Sequence, residues 1–104
     1  MQDKYMEMLI AIDKSIKRYV ADTLYCREPL NISPPQHTTG YRIQDDLDHD
    51  EFFERIDWLA ANGYITIGAG PKGGEWCDMT DSYVETYKLT EKGSAYVEEI
   101  VGRR

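Results

Sequence analysis

The chain has 104 residues, enough for one small domain around one hydrophobic core. Hydrophobic residues make up 41% of it, yet nothing approaches the run of about 18 apolar residues that a bilayer span needs. Its net charge of −7 works against polyanionic partners, because Lys and Arg supply most non-specific affinity for nucleic acid.

The opening MQDKYMEML mixes charged and apolar residues and is unlike a signal peptide, so a cytoplasmic protein is expected. Residues 3–26 read as a long amphipathic helix. Tyr5, Leu9, Ile12, Ile16, Val20 and Leu24 recur at three- and four-residue steps and form one apolar stripe. Met1, Met6 and Met8 add apolar surface outside that stripe, while Lys14, Lys17 and Arg18 form a solvated face. Glu28-Pro29 ends the helix, since the residue before proline is pushed out of the α region.

Residues 29–44, PLNISPPQHTTGYRIQ, suit only a short or irregular turn of helix. Ser33, Pro34 and Gln36 resemble a helix start, but two prolines, two threonines and Gly40 oppose its continuation. Ile43 and Tyr41 are the expected core anchors. A regular helix then follows over 48–62. Asp48 suits the N-cap, Glu51 stands at the capping-box spacing, and Phe52, Ile56 and Leu59 share a face flanked by Phe53 and Ala60. Asn62-Gly63 ends it, with Gly63 fitted to a left-handed stop.

A strand is expected at 64–67, a glycine-rich loop over 68–82, and a second strand at 83–89. Thr90 caps a closing helix over 91–101, with Tyr96 or Val97, Ile100 and Val101 facing inward. The order is α-α-α-β-wing-β-α in a single α+β domain, 1–104. "FFERIDWLAANGYITI", a loop and "YKLTEKGSAYVEEI" together resemble a winged-helix domain of the MarR and PadR kind. The matching motifs are Asn62-Gly63-Tyr64-Ile65 and Leu89-Thr90-Glu91-Lys92-Gly93, and the likeness covers roughly residues 43–100. Small YjcQ-like winged-helix proteins are similar too, including an acidic start to the third helix. The resemblance implies a helix-turn-helix whose second helix enters a DNA groove, but the helix that should brace it on the backbone is the one that reads as irregular over 29–44.

The charge distribution opposes that use. Residues 1–30 hold five basic and five acidic groups, and residues 63–104 hold five basic and seven acidic. Residues 31–62 hold only Arg42 and Arg55 against seven acids, a net −5. The base-reading positions would carry Asp48, His49, Asp50, Glu51 and Glu54, with Arg55 the cation among them. Two like charges about 4 Å apart in water repel by roughly 1 kcal/mol, so several carboxylates against a duplex would cost several kcal/mol. A solvated helix face, with acids favoured by the helix N-terminus, explains Asp48, Asp50 and Glu51. It explains Asp45, Asp46, Glu54 and Asp57 less well.

We therefore expect a non-enzymatic regulatory or inhibitory interaction module that meets a protein with a basic surface, in the manner of a phosphate mimic. Asp46, Asp50, Glu54 and Asp57 are the expected contacts, with Trp58 and Trp76 as apolar anchors. The alternative is a transcription regulator touching DNA through Arg42, His49, Arg55 and Lys72. A homodimer through the terminal helices is expected. No metal or cofactor is expected. Asp46, Asp48, Asp50 and Asp57 have calcium-loop spacing, but Glu51 stands where such a loop needs glycine. Cys26 and Cys77 lie 51 positions apart and read as free thiols, and His37 and His49 complete no zinc set. No serine or cysteine has a base partner in a motif.

Overall fold

A computed structural model describes residues 3–24, 37–43 and 47–102, the side chains at 3, 19–24, 41 and 72 excepted. Helix α1 (Asp3–Leu24) turns Leu9 and Ile12 fully into the core, with Tyr5 and Ile16 half-buried beside them. Met8 corrects the expected stripe. It is 1% exposed and belongs to the core, because its step of four to Ile12 places it on the buried face. Val20, Leu24, Cys26 and the expected helix start at Ser33 lie outside the described side chains.

Strand β1 (Thr38–Thr39) was not expected. The two threonines that spoil a helix are β-branched and suit a strand, and both are buried. Thr38 Oγ1 meets Ser15 Oγ of α1 at 2.6 Å, which satisfies both hydroxyls inside the protein. The expected short turn follows as α2 (Gly40–Ile43), and Ile43 packs against the core.

Helix α3 (His49–Ala61) begins at Asp48, whose carboxylate accepts from the Glu51 backbone amide at 2.9 Å. Ile56 and Leu59 are buried, and Phe52 is half-buried. At its end Gly63 has φ 80°, a conformation side chains resist. The Gly63 amide bonds the Ala60 carbonyl and the Tyr64 amide bonds that of Leu59, the paired closure of a Schellman stop.

Strand β2 (Ile65–Gly68) pairs antiparallel with β5 (Thr86–Leu89), from Ile65 opposite Leu89 to Gly68 opposite Thr86. Strand β1 pairs with the other edge of β5, giving the order β1-β5-β2. The segment between departs from the expected plain loop and unbroken second strand. It holds a 3-10 turn (Gly70–Lys72) and a second antiparallel pair, β3 (Glu75–Cys77) with β4 (Ser82–Val84). The expected strand 83–89 is therefore divided at Glu85. Thr86 Oγ1 donates to the Gly73 carbonyl at 2.6 Å and ties this hairpin back to the sheet.

Helix α4 (Glu91–Val101) is capped by Thr90, whose Oγ1 accepts from the Gly93 amide at 3.1 Å. Val97 is buried and Tyr96 and Ile100 are half-buried. Val101, expected inside, is 45% exposed because the helix ends there and leaves the core. Gly93 is buried against strand β2's entry, and a Cβ there would fall on the Tyr64 carbonyl oxygen. The core joins α1, α3, α4, β2 and β5 through Met8, Leu9, Ile12, Ile56, Leu59, Ile65, Tyr87 and Val97. The architecture is α+β, helices against a small antiparallel sheet. No helix among the described residues is long and apolar enough to cross a membrane.

Candidate interaction face

The outward side of α3 carries a row of carboxylates. Asp50, Glu54 and Asp57 follow one another at steps of four and three, so they share one helix face, and all three are exposed. Glu54 is held in place: the Tyr5 hydroxyl of α1 donates to its Oε1 at 2.6 Å. That bond, aided by partial desolvation and the Glu54 charge, raises the Tyr5 phenol above its ordinary pKa. His49 Nδ1 lies 3.6 Å from Asp50 Oδ1, and Arg55 is half-buried. Asp46 lies outside the described residues.

Trp58 stands behind this row. Its ring stacks on Tyr5 at 4.2 Å and 10°, and on Tyr64 at 6.1 Å and 11°. Lys92 Nζ lies 4.4 Å from the Tyr64 ring centre and donates to the Asn62 carbonyl at 2.7 Å. Half-buried in this column, Trp58 braces α1 against α3 and supports the Tyr5–Glu54 bond.

Trp76 is placed differently. It stands on β3, 48% exposed, with its Nε1 donating to Asp78 Oδ1 at 2.9 Å. Tyr83 of β4 meets it edge-on at 5.0 Å and is 44% exposed, and Met79 at the hairpin turn is 96% exposed. Trp76 and Tyr83 make an exposed aromatic pair, and Met79 stands exposed in the turn between their strands, with Asp78 and Asp81 exposed beside it in the chain. Tyr83 and Met79 were not singled out from the sequence. The pairing of β3 with β4 puts Tyr83 opposite Trp76, and no periodicity in 68–82 announced that pairing. Cys77, half-buried next to Trp76 on β3, is a free thiol; hydrogen bonds with the Thr80 side chain and backbone hold its pKa below the ordinary value.

The cations of the DNA-reading alternative are differently disposed. Arg42 of α2 makes a bidentate bond to Glu75 of β3, at 2.8 and 2.9 Å, with His37 Nε2 3.9 Å from the same carboxylate. This ion pair joins α2 to the hairpin. The Lys72 side chain lies outside the described set. No group of three His, Cys, Asp or Glu able to hold a metal occurs among the described residues. A pocket of 520 Å³ opens between the first turns of α3 and strands β4 and β5. Comparison with protein-family models, with curated proteins and with solved structures finds no match to this chain.

Proposed function

We propose that the chain is a winged-helix domain serving as a regulatory or inhibitory protein-interaction module, not an enzyme. Its α3 carboxylates stand in for nucleic-acid phosphates before a partner with a basic surface. The element order supports the fold assignment, with β2 and β5 paired as the base of a wing and β3–β4 as its tip. The observation that carries the function is the inversion of charge at the reading helix. Asp50, Glu54 and Asp57 stand exposed in one row, while Arg42 is bound by Glu75. Trp76, with Tyr83 and Met79, is the apolar anchor, and Trp58 acts as scaffold behind Glu54. Complementary charge would speed encounter with the partner and select it. The proposal includes a homodimer built on α1 and α4.

The test has two arms. Fluorescence anisotropy with a random duplex at low salt should detect no binding, whereas a transcription regulator would bind with an affinity falling steeply as salt rises. Affinity capture should retain a basic protein that Asp50→Lys/Glu54→Lys loses and that duplex DNA displaces. Glu54→Gln keeps the acceptor for Tyr5 and serves as the folding control. Capture unaffected by the charge reversal would end the proposal.

A further inference from the structure

We propose that the pocket between the first turns of α3 and strands β4 and β5 binds a small organic cation, an amine on an aromatic or aliphatic body. Its volume of 520 Å³ falls within the roughly 300–1,000 Å³ of small-molecule sites. Phe52, Phe53 and Tyr87 give its walls three benzenoid rings. Phe52 and Phe53 meet edge-on at 5.3 Å, and Phe52 lies 6.0 Å from Tyr87 at 60°. Aromatic rings present negative π-faces, which attract ammonium groups more strongly once water is excluded.

The polar lining points the same way. Glu85, exposed at the break between β4 and β5, accepts from the Tyr87 hydroxyl at 3.3 Å. Burial first, then the charge and hydrogen bond of Glu85 and the charge of Asp57, hold the Tyr87 phenol above its ordinary pKa, so it lines the pocket as a neutral group and the Glu85 carboxylate is the acid in the lining. No lysine or arginine lines the pocket among the described residues. His49 lines it and lies 3.6 Å from Asp50. The start of α3 would by itself favour an anion, but its cap already holds the Asp48 carboxylate, with Asp50 and Glu51 in the same turn. Glu85 thus gains a function that its role as a strand break does not require. The pocket lining shares no residue with the Asp50–Glu54–Asp57 row, although His49 contacts Asp50 and the charge of Asp57 reaches Tyr87, and the site does not require that row to meet a protein.

Three probes with one apolar body separate the effects: 2-phenylethylammonium, 2-phenylethanol and phenylacetate, each titrated into the isotope-labelled 104-residue chain. Amide shifts should gather at residues 40, 47, 52–53 and 84–87. The ammonium should bind tightest, about tenfold or more over phenylacetate. Glu85→Gln should lower ammonium affinity roughly fivefold, to near that of the alcohol, and leave the alcohol unchanged. Phe53→Leu, which keeps apolar volume but removes a ring, should also weaken the ammonium selectively. The site is refuted if phenylacetate binds as well as the ammonium, if Glu85→Gln weakens all three probes alike, or if no shifts gather at the pocket at millimolar probe.

Discussion

The hydroxyl pair of Ser15 and Thr38 puts a polar contact where α1 crosses β1, with Ser15 5% exposed and Thr38 fully buried. A buried hydrogen bond adds little net stability, but a lone buried partner costs its full desolvation. Without the Ser15 hydroxyl, Thr38 Oγ1 would keep only a long 3.4 Å bond to the Thr39 carbonyl, so Ser15→Ala should lower unfolding free energy by about 1 kcal/mol, and adding Thr38→Val should recover most of that loss. Urea unfolding with an unchanged slope measures both; a double variant as weak as the sum of the singles would contradict the argument. The tyrosines give a pH dependence. The hydrogen bond to Glu54 raises the Tyr5 phenol, and burial first, then Glu85, raises that of Tyr87. Both keep their protons in the folded chain after an unfolded phenol, near pH 10, has lost its own. Their contribution is fully present below about pH 10 and is lost as pH rises through the folded values. The urea midpoint should thus decline above pH 10, less steeply in Tyr5→Phe; equal alkaline slopes for the two proteins would remove Tyr5 from the account. Nothing in the sequence marked Ser15 or Tyr5 for these partners, because both bonds span more than twenty positions and depend on how α1 crosses the fold.

Helix α4 is fixed at its start by two residues with different physical roles. Thr90 Oγ1 accepts from the Gly93 amide and donates to the Gly63 carbonyl at 2.6 Å, while Gly93 lets the helix touch the Tyr64 carbonyl. Thr90→Ala should cost about 1–2 kcal/mol as a lost cap. Gly93→Ala should cost about 3 kcal/mol or force α4 away from β2, since the obstructing atom is backbone and cannot swing aside. Thermal unfolding ranks the two, and a Gly93→Ala protein as stable as the parent would show that α4 shifts freely. Both positions were legible in Leu89-Thr90-Glu91-Lys92-Gly93, as were the cap and glycine stop of α3, because these signals are local. Strand β1 and the β3–β4 pair were not legible. Two threonines acquire a strand only when β5 lies alongside, and Trp76 and Tyr83 pair only because the turn reverses with Asp81 at φ 52°. The hairpin's tether was equally hidden, since Arg42 and Glu75 stand 33 positions apart. Their side chains are about one third and one quarter exposed, so Glu75→Gln should cost less than about 1 kcal/mol overall. Its effect belongs to the element: amide exchange should quicken in β3–β4 and remain unchanged in β2–β5. Uniform exchange across both pairs would mean that the ion pair does not hold the hairpin.

At the scale of the molecule, the proposed dimer sets apolar contact against charge. Each chain carries −7, so two copies repel wherever their acidic regions approach within a screening length. The burial of Met8 in the core removes one side chain expected to add pairing surface on α1. Among the described side chains, α1 and α4 still offer Val101, 45% exposed, with Met6, Ile10 and Ile100 half-buried. Against the charge that each copy carries, such association should be governed by screening. Raising salt from about 0.05 to 0.5 M shortens the reach of the repulsion to a few ångströms and leaves apolar burial in place. Sedimentation equilibrium should accordingly find a dimer that tightens with salt, and Val101→Asp should weaken it by adding charge to its apolar rim. Duplex binding by the same fold would respond in the opposite sense, falling as salt rises. One salt series, with and without DNA, thus reads both equilibria. A monomer at micromolar concentration across the whole series would exclude pairing through α1 and α4, and would leave the acidic row of α3 to act from a single copy.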